Sequence, residues 1–283
     1  MSGTAPIGHA KAGVIGWPIA HSRSPLIHNH WMKQYDIDAS YGLCPIDPAS
    51  DFREALAGLA DEGYIGANVT LPHKENAFRA MDDLSPVAEK LGAVNTISFK
   101  DGRMHGHNTD VGGFIASLDA HGRGWRDKPA LVLGAGGAAR AIIAALDAEG
   151  VPQVRLVNRT RHRAEALVAL APDRVAIGDW AARGALAAGC GLLVNTTSLG
   201  MTGAAELDMP LEALAEGAMV NDIVYIPMET DLLARARARG LIAIDGLGML
   251  LHQAALSFEG WFGVKPAIDQ VLRDTLIADL EEA

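Results

Sequence analysis

The sequence predicts an α/β protein of two domains, one of them built on a doubly wound parallel sheet. Three observations carry this. A strand–turn–helix unit with a glycine-rich turn sits mid-chain at 130–140. Six short apolar segments, 131–133, 154–157, 175–177, 192–194, 219–224 and 241–244, follow one another at the spacing of strands alternating with helices. A separate α/β block precedes them and two helical stretches follow. A length of 283 residues suits one large domain or two ordinary ones.

The N-terminal block opens with a short buried strand at 12–15. Ser24 followed by Pro25 predicts a helix start, with the hydroxyl as N-cap and proline at the first helical position. That helix runs to about Tyr35 and puts Ile27, Trp31 and Tyr35 on one face. The cap does not require Ser22, so Ser22 and Ser24 together form a hydroxyl pair able to hold a carboxylate. A second strand covers 41–46, Asp47 or Ser50 opens a helix through Leu59, and a third strand covers 65–70. The third strand ends in Asn68-Val69-Thr70-Leu71-Pro72-His73-Lys74-Glu75. Polar residues at the carboxyl end of a strand in an α/β sheet lie where ligands bind. Taken singly, Lys74 reads as a surface lysine and His73 as an ordinary, partly exposed histidine. Strands at 97 and at 103–107, joined by a turn at Lys100-Asp101-Gly102, predict an antiparallel hairpin. Asn95 singly reads as a turn residue, and Asp110 as the cap of a helix reaching His121.

The polar stretch 122–129 reads as a boundary. The glycine turn follows. Gly134, Gly136 and Ala139 fit the dinucleotide fingerprint with alanine in the third small position. The first allows the turn, the second lets backbone approach a pyrophosphate, and the third lets the helix lie close to the strand. The N–H groups of the helix start would face the anion. Asn158 lies 24 positions after Gly134, where an NAD-binding domain usually carries a carboxylate for the ribose 2′-hydroxyl. Here Asn158 is followed by Arg159, Thr160, Arg161, His162 and Arg163. Guanidinium groups grip a 2′-phosphate that a carboxylate would repel, so the cofactor expected is NADP. With strands in the order 3-2-1-4-5-6, the loop 195–201 flanks the switch point and should line the same crevice. The fifth strand leads to Tyr225. Asp245-Gly246-Leu247-Gly248-Met249 opens a helix carrying His252, Gln253 and Trp261, and a last helix covers 267–280. Six strands complete the sheet, so these two helices are expected to return to the N-terminal block. The expected division is 1–122 completed by 247–283, and 123–246.

Composition bounds the partners. Apolar residues make up 49%, charged residues 20%, and the net charge is −10 without a basic block. Nucleic acid and anionic membranes need clustered Lys and Arg, so neither is expected. Cys44 and Cys190 have no metal-ligand spacing and read as small buried side chains; no metal is expected. Met1 to Lys11 lacks the apolar core of a signal peptide, and no run suits a bilayer. A cytoplasmic location follows, with a small-molecule substrate and, at most, a second copy of the chain as a homodimer.

Taken together the motifs resemble the shikimate dehydrogenase family, over nearly the whole chain. Six occur in order: Ser22-Arg23-Ser24-Pro25; Asn68 to Lys74; Gly92-Ala93-Val94-Asn95-Thr96; Asn108-Thr109-Asp110; Gly134 to Ala138 with Asn158-Arg159-Thr160; and Gly246 to Leu250. The resemblance implies a substrate domain and a Rossmann domain, and reversible reduction of 3-dehydroshikimate by NADPH in aromatic amino-acid biosynthesis. It implies that Ser22 and Ser24 bind the substrate carboxylate. It further implies that Thr70, Asn95, Tyr225 and Gln253 contact ring hydroxyls or carboxylate, and that Lys74 and Asp110 form the catalytic pair. For the cofactor it implies Gly134, Ala135, Gly136, Gly137 and Ala138 at the pyrophosphate. Asn158, Arg159, Thr160 and Arg163 would read the 2′-phosphate, with Ile223 and Gly246 by the nicotinamide. Trp17, His73, Val111 and Pro86 depart from the family's more frequent residues. Two rivals remain: a quinate/shikimate dehydrogenase of broader range, and a non-catalytic NADP-binding sensor.

Overall fold

The computed structural model describes residues 9–282, and the leader expectation for Met1 to Lys11 lies largely outside them. The chain divides into two compact units: the chain up to Thr109 together with Ala254 onward, and Asp110–Gln253. Among the described residues there are two six-stranded sheets, one in each unit.

The first unit holds β1 (Ala10–Gly16), α1 (Ser24–Gln34), β2 (Ala39–Pro45), α2 (Phe52–Asp61), β3 (Tyr64–Val69), α3 (Lys74–Ala80), β4 (Asp83–Leu84), α4 (Pro86–Leu91), β5 (Thr96–Lys100) and β6 (Arg103–His107). The sheet order is β2-β1-β3-β5-β6-β4. Strands β1, β2 and β3 are parallel, and β5 and β6 form the expected antiparallel hairpin. Ile15, Val69, Ile97, Leu56 and Phe52 share its core. Helix ends follow local chemistry. Asp51 caps α2 by accepting the Glu54 N–H at 3.0 Å, so the cap is neither Asp47 nor Ser50. Ser85 caps α4 with Pro86 next, and Gly92 closes that helix at φ +61°.

Helix α1 departs from expectation at its start. Arg23 is the N-cap and makes no side-chain cap bond, so Ser24 opens the helix and Pro25 is its second residue. Proline fits either place, because neither N–H has a partner within the helix. The Ser22 hydroxyl accepts the Ser24 N–H at 3.3 Å, so Ser22 takes part in the local turn after all. Ile27 and Trp31 are buried as the helical face predicts. The Trp31 indole N–H donates to the Ala267 carbonyl at 2.9 Å, and the Ala267 N–H donates to the Tyr35 hydroxyl at 2.8 Å. The late segment thereby closes the first unit.

In the second unit, α5 (Asp110–Asp119) is followed by β7 (Ala130–Leu133), α6 (Gly137–Ala148), β8 (Val154–Val157), α7 (Arg161–Glu165), β9 (Val175–Gly178), α8 (Arg183–Leu186), β10 (Leu192–Asn195), β11 (Met219–Asp222), α9 (Asp231–Ala238) and β12 (Ile242–Ile244). Helix α10 (Gly246–Phe262) spans the division at 253, and α11 (Gln270–Glu282) belongs to the first unit. The order β12-β11-β10-β7-β8-β9, parallel throughout, is the doubly wound arrangement expected. Leu131, Leu133, Leu193, Val220 and Leu233 are buried in its core. The stretch 122–129 is no loose boundary. Trp125 is buried, the Arg126 guanidinium lies 4.3 Å from its ring centroid, and Arg126 bonds both Asp119 and Glu149 at 2.5 Å. These contacts fasten the segment within the second unit, and the division falls earlier, after Thr109. No described helix is long and apolar enough to cross a membrane.

Candidate functional site

The sheet of the second unit reverses its strand order between β7 and β10, where a ligand crevice is expected. A cleft of about 170 Å³ lies there. Gly134, Ala135 and Gly136 line it beside Asn158, Arg159 and Arg163, and Thr196 to Leu199 complete the wall. The two glycines serve different ends. Gly134 has φ +101°, and a Cβ there would stand 2.6 Å from Thr196 Oγ1. The protein's own backbone and packing demand glycine at that position. Gly136 has φ −98° and ψ −167°, open to any residue, and a Cβ there meets no protein atom within 4 Å. Nothing in the protein requires its missing side chain. Space kept clear at the start of α6, where the first N–H groups have no helical partner, fits a ligand phosphate. Ala139 is buried near the start of α6. Gly137 and Ala138 carry the chain on into α6, and the Thr160 carbonyl accepts a bond from Asn158 Nδ2 at 2.8 Å.

The arginines divide by charge balance. Arg161 is paired with Glu165 at 3.1 Å and with Asp179 at 3.2 Å. Among the described residues Arg159 and Arg163 make no ion pair, and both line the cleft. They are the cations available to an anion.

Buried polar groups hold the wall in place. Asn195 Nδ2 donates to Asp222 Oδ1 at 2.9 Å and to the Leu199 carbonyl at 3.1 Å. Its Oδ1 accepts from the Thr197 hydroxyl at 2.7 Å and the Thr197 N–H at 3.0 Å. Burial pushes the Asp222 carboxyl above the usual carboxylate range, opposed by bonds from Thr230, the Val224 N–H and Asn195. Sequence reading placed the 195–201 loop at the crevice but missed Asp222 and Trp180, which also lines the cleft. An acid ending an apolar strand, and an aromatic just past the carboxyl end of β9, were the available signals.

Elsewhere in this unit, a Cβ on Gly246 would overlap the Ile223 carbonyl, so those two residues meet at the ends of β12 and β11. Neither lines the cleft above. Asp110 heads α5. Three residues on, a Cβ at Gly113 would lie 2.7 Å from the Gln253 backbone nitrogen, so α5 crosses α10 closely at Gln253. Gln253 Nε2 donates to the Leu250 carbonyl at 2.9 Å, and Tyr225 is half-buried after β11.

In the first unit Ser22 and Ser24 follow β1, Thr70 and Lys74 follow β3, and Asn95 precedes β5. The Thr70 N–H donates to the Ile15 carbonyl at 2.8 Å, and a Cβ on Gly16 would lie 2.7 Å from Thr70 Cγ2. The Val94 N–H donates to the Lys74 carbonyl at 3.0 Å, which places Lys74 beside the segment bearing Asn95. Lys74 is the first residue of α3 and is half-buried, not a free surface lysine. His73 is wholly buried rather than partly exposed: its ring stacks on Phe52 and its Nε2 lies 2.7 Å from the Ile46 carbonyl.

Asn95 belongs to a buried polar cluster. Its Oδ1 accepts the Thr109 N–H at 2.7 Å and the Thr96 hydroxyl at 2.9 Å. Asn68 donates to Ser257 Oγ at 2.8 Å and accepts from the Tyr41 hydroxyl at 2.7 Å. His28 stacks on Tyr41 with centroids 4.1 Å apart, and burial lowers its imidazole to about 3. The sequence alone marks Asn68 only as a polar residue of the third strand and gives no sign of Tyr41, His28 or Ser257 as its partners. An asparagine inside an apolar strand was the one visible sign. Arg23, between the two serines, is held by Asp279 at 2.5 Å.

Comparison with known proteins places these features in one family. Residues 14–97 match the model for the shikimate dehydrogenase substrate binding domain, 118–177 that for shikimate/quinate 5-dehydrogenase, and 246–273 that for the shikimate 5′-dehydrogenase C-terminal domain. A Methylobacterium radiotolerans protein named shikimate dehydrogenase (NADP(+)) is 52% identical over 275 residues, 95% of this chain and 97% of its own. The structure of quinate dehydrogenase from Corynebacterium glutamicum in complex with NAD matches with TM-score 0.89 and 29% identity, covering 96% of this chain and 99% of that one. The Thermus thermophilus shikimate 5-dehydrogenase in complex with NADP(H) and shikimate matches with TM-score 0.83 and 35% identity, covering 96% and 99%. A doubly wound sheet with a glycine cleft at its switch point, and near-full-length identity of about half, make this chain a member of the shikimate dehydrogenase family.

Proposed function

We propose that the protein catalyses the reversible NADPH-dependent reduction of 3-dehydroshikimate to shikimate, an oxidoreductase step at a CH–OH carbon on the chorismate route to aromatic amino acids. The observation that carries the cofactor half is the cleft. Gly136 leaves room for a pyrophosphate, and Arg159 and Arg163 stand unneutralised beside Asn158, which takes the place of an NAD site's carboxylate. Gly134 to Ala138 hold the pyrophosphate, Asn158, Arg159, Thr160 and Arg163 take the 2′-phosphate, and Ile223 and Gly246 adjoin the nicotinamide. Ser22 and Ser24 bind the substrate carboxylate, and Thr70, Asn95, Tyr225 and Gln253 hold the ring.

Bound NADPH supplies the hydride. The Lys74 ammonium bonds the carbonyl oxygen, stabilises its growing charge and delivers the proton. Asp110, the second member of the catalytic pair, bonds the neighbouring substrate hydroxyl. Lys74→Ala is expected to lower turnover roughly 10²- to 10⁴-fold, with a modest rise in KM. Near-normal turnover would remove Lys74 from the mechanism.

The deciding assay follows nicotinamide reduction by pure protein with shikimate and with quinate, each with NADP+ and NAD+. The expected result is fastest reduction of NADP+ by shikimate. Preference for quinate selects the broader dehydrogenase, the activity named for one structural neighbour of 29% identity. No shikimate-dependent reduction selects the sensor. The two buried free thiols suit a reducing cytoplasm, which fractionation tests, and sedimentation tests a homodimer.

A further inference from the structure

We propose that Trp180 is the adenine wall of the nucleotide cleft, the flat apolar surface on which the base of NADP stacks beside Arg159 and Arg163. The inference rests on the cofactor reading above and adds a residue that fixes the adenosine half.

Position is the first argument. Trp180 follows β9 by two residues, and β9 pairs with β8, whose end carries Asn158 and Arg159. All three residues line the same cleft. In a doubly wound sheet the acceptor of the adenosine ribose stands at the end of this second strand. The base attached to that ribose therefore lies near the end of the second or third strand.

Chemistry is the second. The lining is glycine, alanine, small hydroxyl residues, Asn158, two arginines and Leu199, and Trp180 is the one aromatic ring in it. A purine is a planar, weakly polar group of large face area. It gains most against another π face, and tryptophan offers the largest.

Rigidity is the third. The indole is half-buried and packs on the core of the second unit. Arg183 fastens it from below the surface. That guanidinium lies 5.2 Å from the ring centroid and donates to the Trp180 carbonyl at 3.0 Å. It is itself held by the Asp208 carbonyl at 2.7 Å and the Asp208 carboxylate at 3.1 Å. A ring fixed before the ligand arrives loses little side-chain entropy on binding. Purely structural burial would not leave the same ring lining an open cleft.

The test uses 2′,5′-ADP, which carries the base and the 2′-phosphate without nicotinamide. Binding is followed by calorimetry and by tryptophan fluorescence for the wild type, Trp180→Phe and Trp180→Leu, with the unliganded melting temperature of each recorded. The expected result is a change in wild-type emission on binding that is absent from Trp180→Phe. Trp180→Phe, which keeps a ring, should hold affinity within a few-fold, whereas Trp180→Leu should weaken binding about ten-fold or more. Wild-type affinity in Trp180→Leu, or emission from Trp180 that ignores saturating 2′,5′-ADP, overturns the wall and leaves the cofactor reading standing. Failure of the wild type to bind 2′,5′-ADP overturns both.

Discussion

Consider alanine placed first at Gly136 and then at Gly134, two residues apart in one turn. At Gly136 the backbone already suits alanine and the new methyl touches no protein atom within 4 Å. Alanine is a poorer N-cap than glycine by up to about 1 kcal/mol, and the loss of unfolded-state freedom returns about 0.4–1 kcal/mol. The melting temperature should therefore move by no more than roughly 3 °C. Cofactor binding should suffer instead, because the methyl stands between phosphate and backbone. Losing one charge-assisted hydrogen bond, worth about 1.5–3 kcal/mol, weakens NADP+ roughly 10- to 100-fold. At Gly134 the order reverses. The left-handed backbone costs alanine about 1–2 kcal/mol, and crowding Thr196 and Thr197 adds about 1–3 kcal/mol. For a unit of this size that lowers the melting temperature by roughly 5–15 °C. Scanning calorimetry without ligand and titration calorimetry with NADP+ measure both. Wild-type affinity in a normally folded Gly136→Ala would refute the claim that this position is kept clear for a phosphate.

Charge balance predicts that Arg161→Ala leaves the NADP+/NAD+ preference nearly unchanged, since Glu165 and Asp179 already neutralise that side chain. Arg159→Ala and Arg163→Ala should each lower the preference about ten-fold, read as the ratio of kcat/KM values. His28 makes stability pH-dependent. Its folded value near 3 lies below the ordinary 6.5, so the unfolded chain takes up the proton first as pH falls. The stability contributed by neutral His28 is complete above pH 6.5 and is lost progressively towards pH 3. That difference is worth roughly 3–6 kcal/mol, and His28→Phe should flatten this part of the urea-midpoint profile. Asp222→Ala leaves the Asn195, Thr230 and Val224 donors buried without their acceptor. It should lower unfolding free energy by about 3–5 kcal/mol in urea titrations, with Asp222→Asn less damaging.

The doubly wound sheet was legible because each of its strands is a short apolar run between polar turns, and parallel pairing follows from the helices between them. The glycine turn was legible for a related reason: backbone demands for φ leave few choices of residue. What escaped depended on distant partners. His73 reads as polar and exposed until Phe52 and the Ile46 carbonyl, far back in the chain, are seen to enclose it. The stretch 122–129 has the letters of a linker, yet Asp119 and Glu149 neutralise its Arg126 and allow Trp125 to be buried. Of the candidate site, strand ends revealed where ligands gather, but the edge strand at 175–177 was read without following the chain past its end to Trp180. The two-residue strand β4 exists only through its pairing with β6. The start of α1 was misplaced by one residue because proline tolerates both of the first helical positions.

The first unit to leave the ribosome is the last to be finished. Asn68 awaits Ser257, the Trp31 indole awaits Ala267, and the Trp261 indole N–H reaches back to the Ile97 carbonyl at 3.0 Å. At about 5–20 residues per second, the segment bearing these partners emerges roughly 8–35 s after Thr109. During that interval a half-built sheet shows apolar surface and unpaired donors, while the whole nucleotide-cleft sheet is made and can fold. Emergence of the segment from Ser257 to Ala267, and not synthesis of the strands, then sets when the earlier half becomes native. Chains truncated just before Ser257 should be caught by quality control with the second unit already folded.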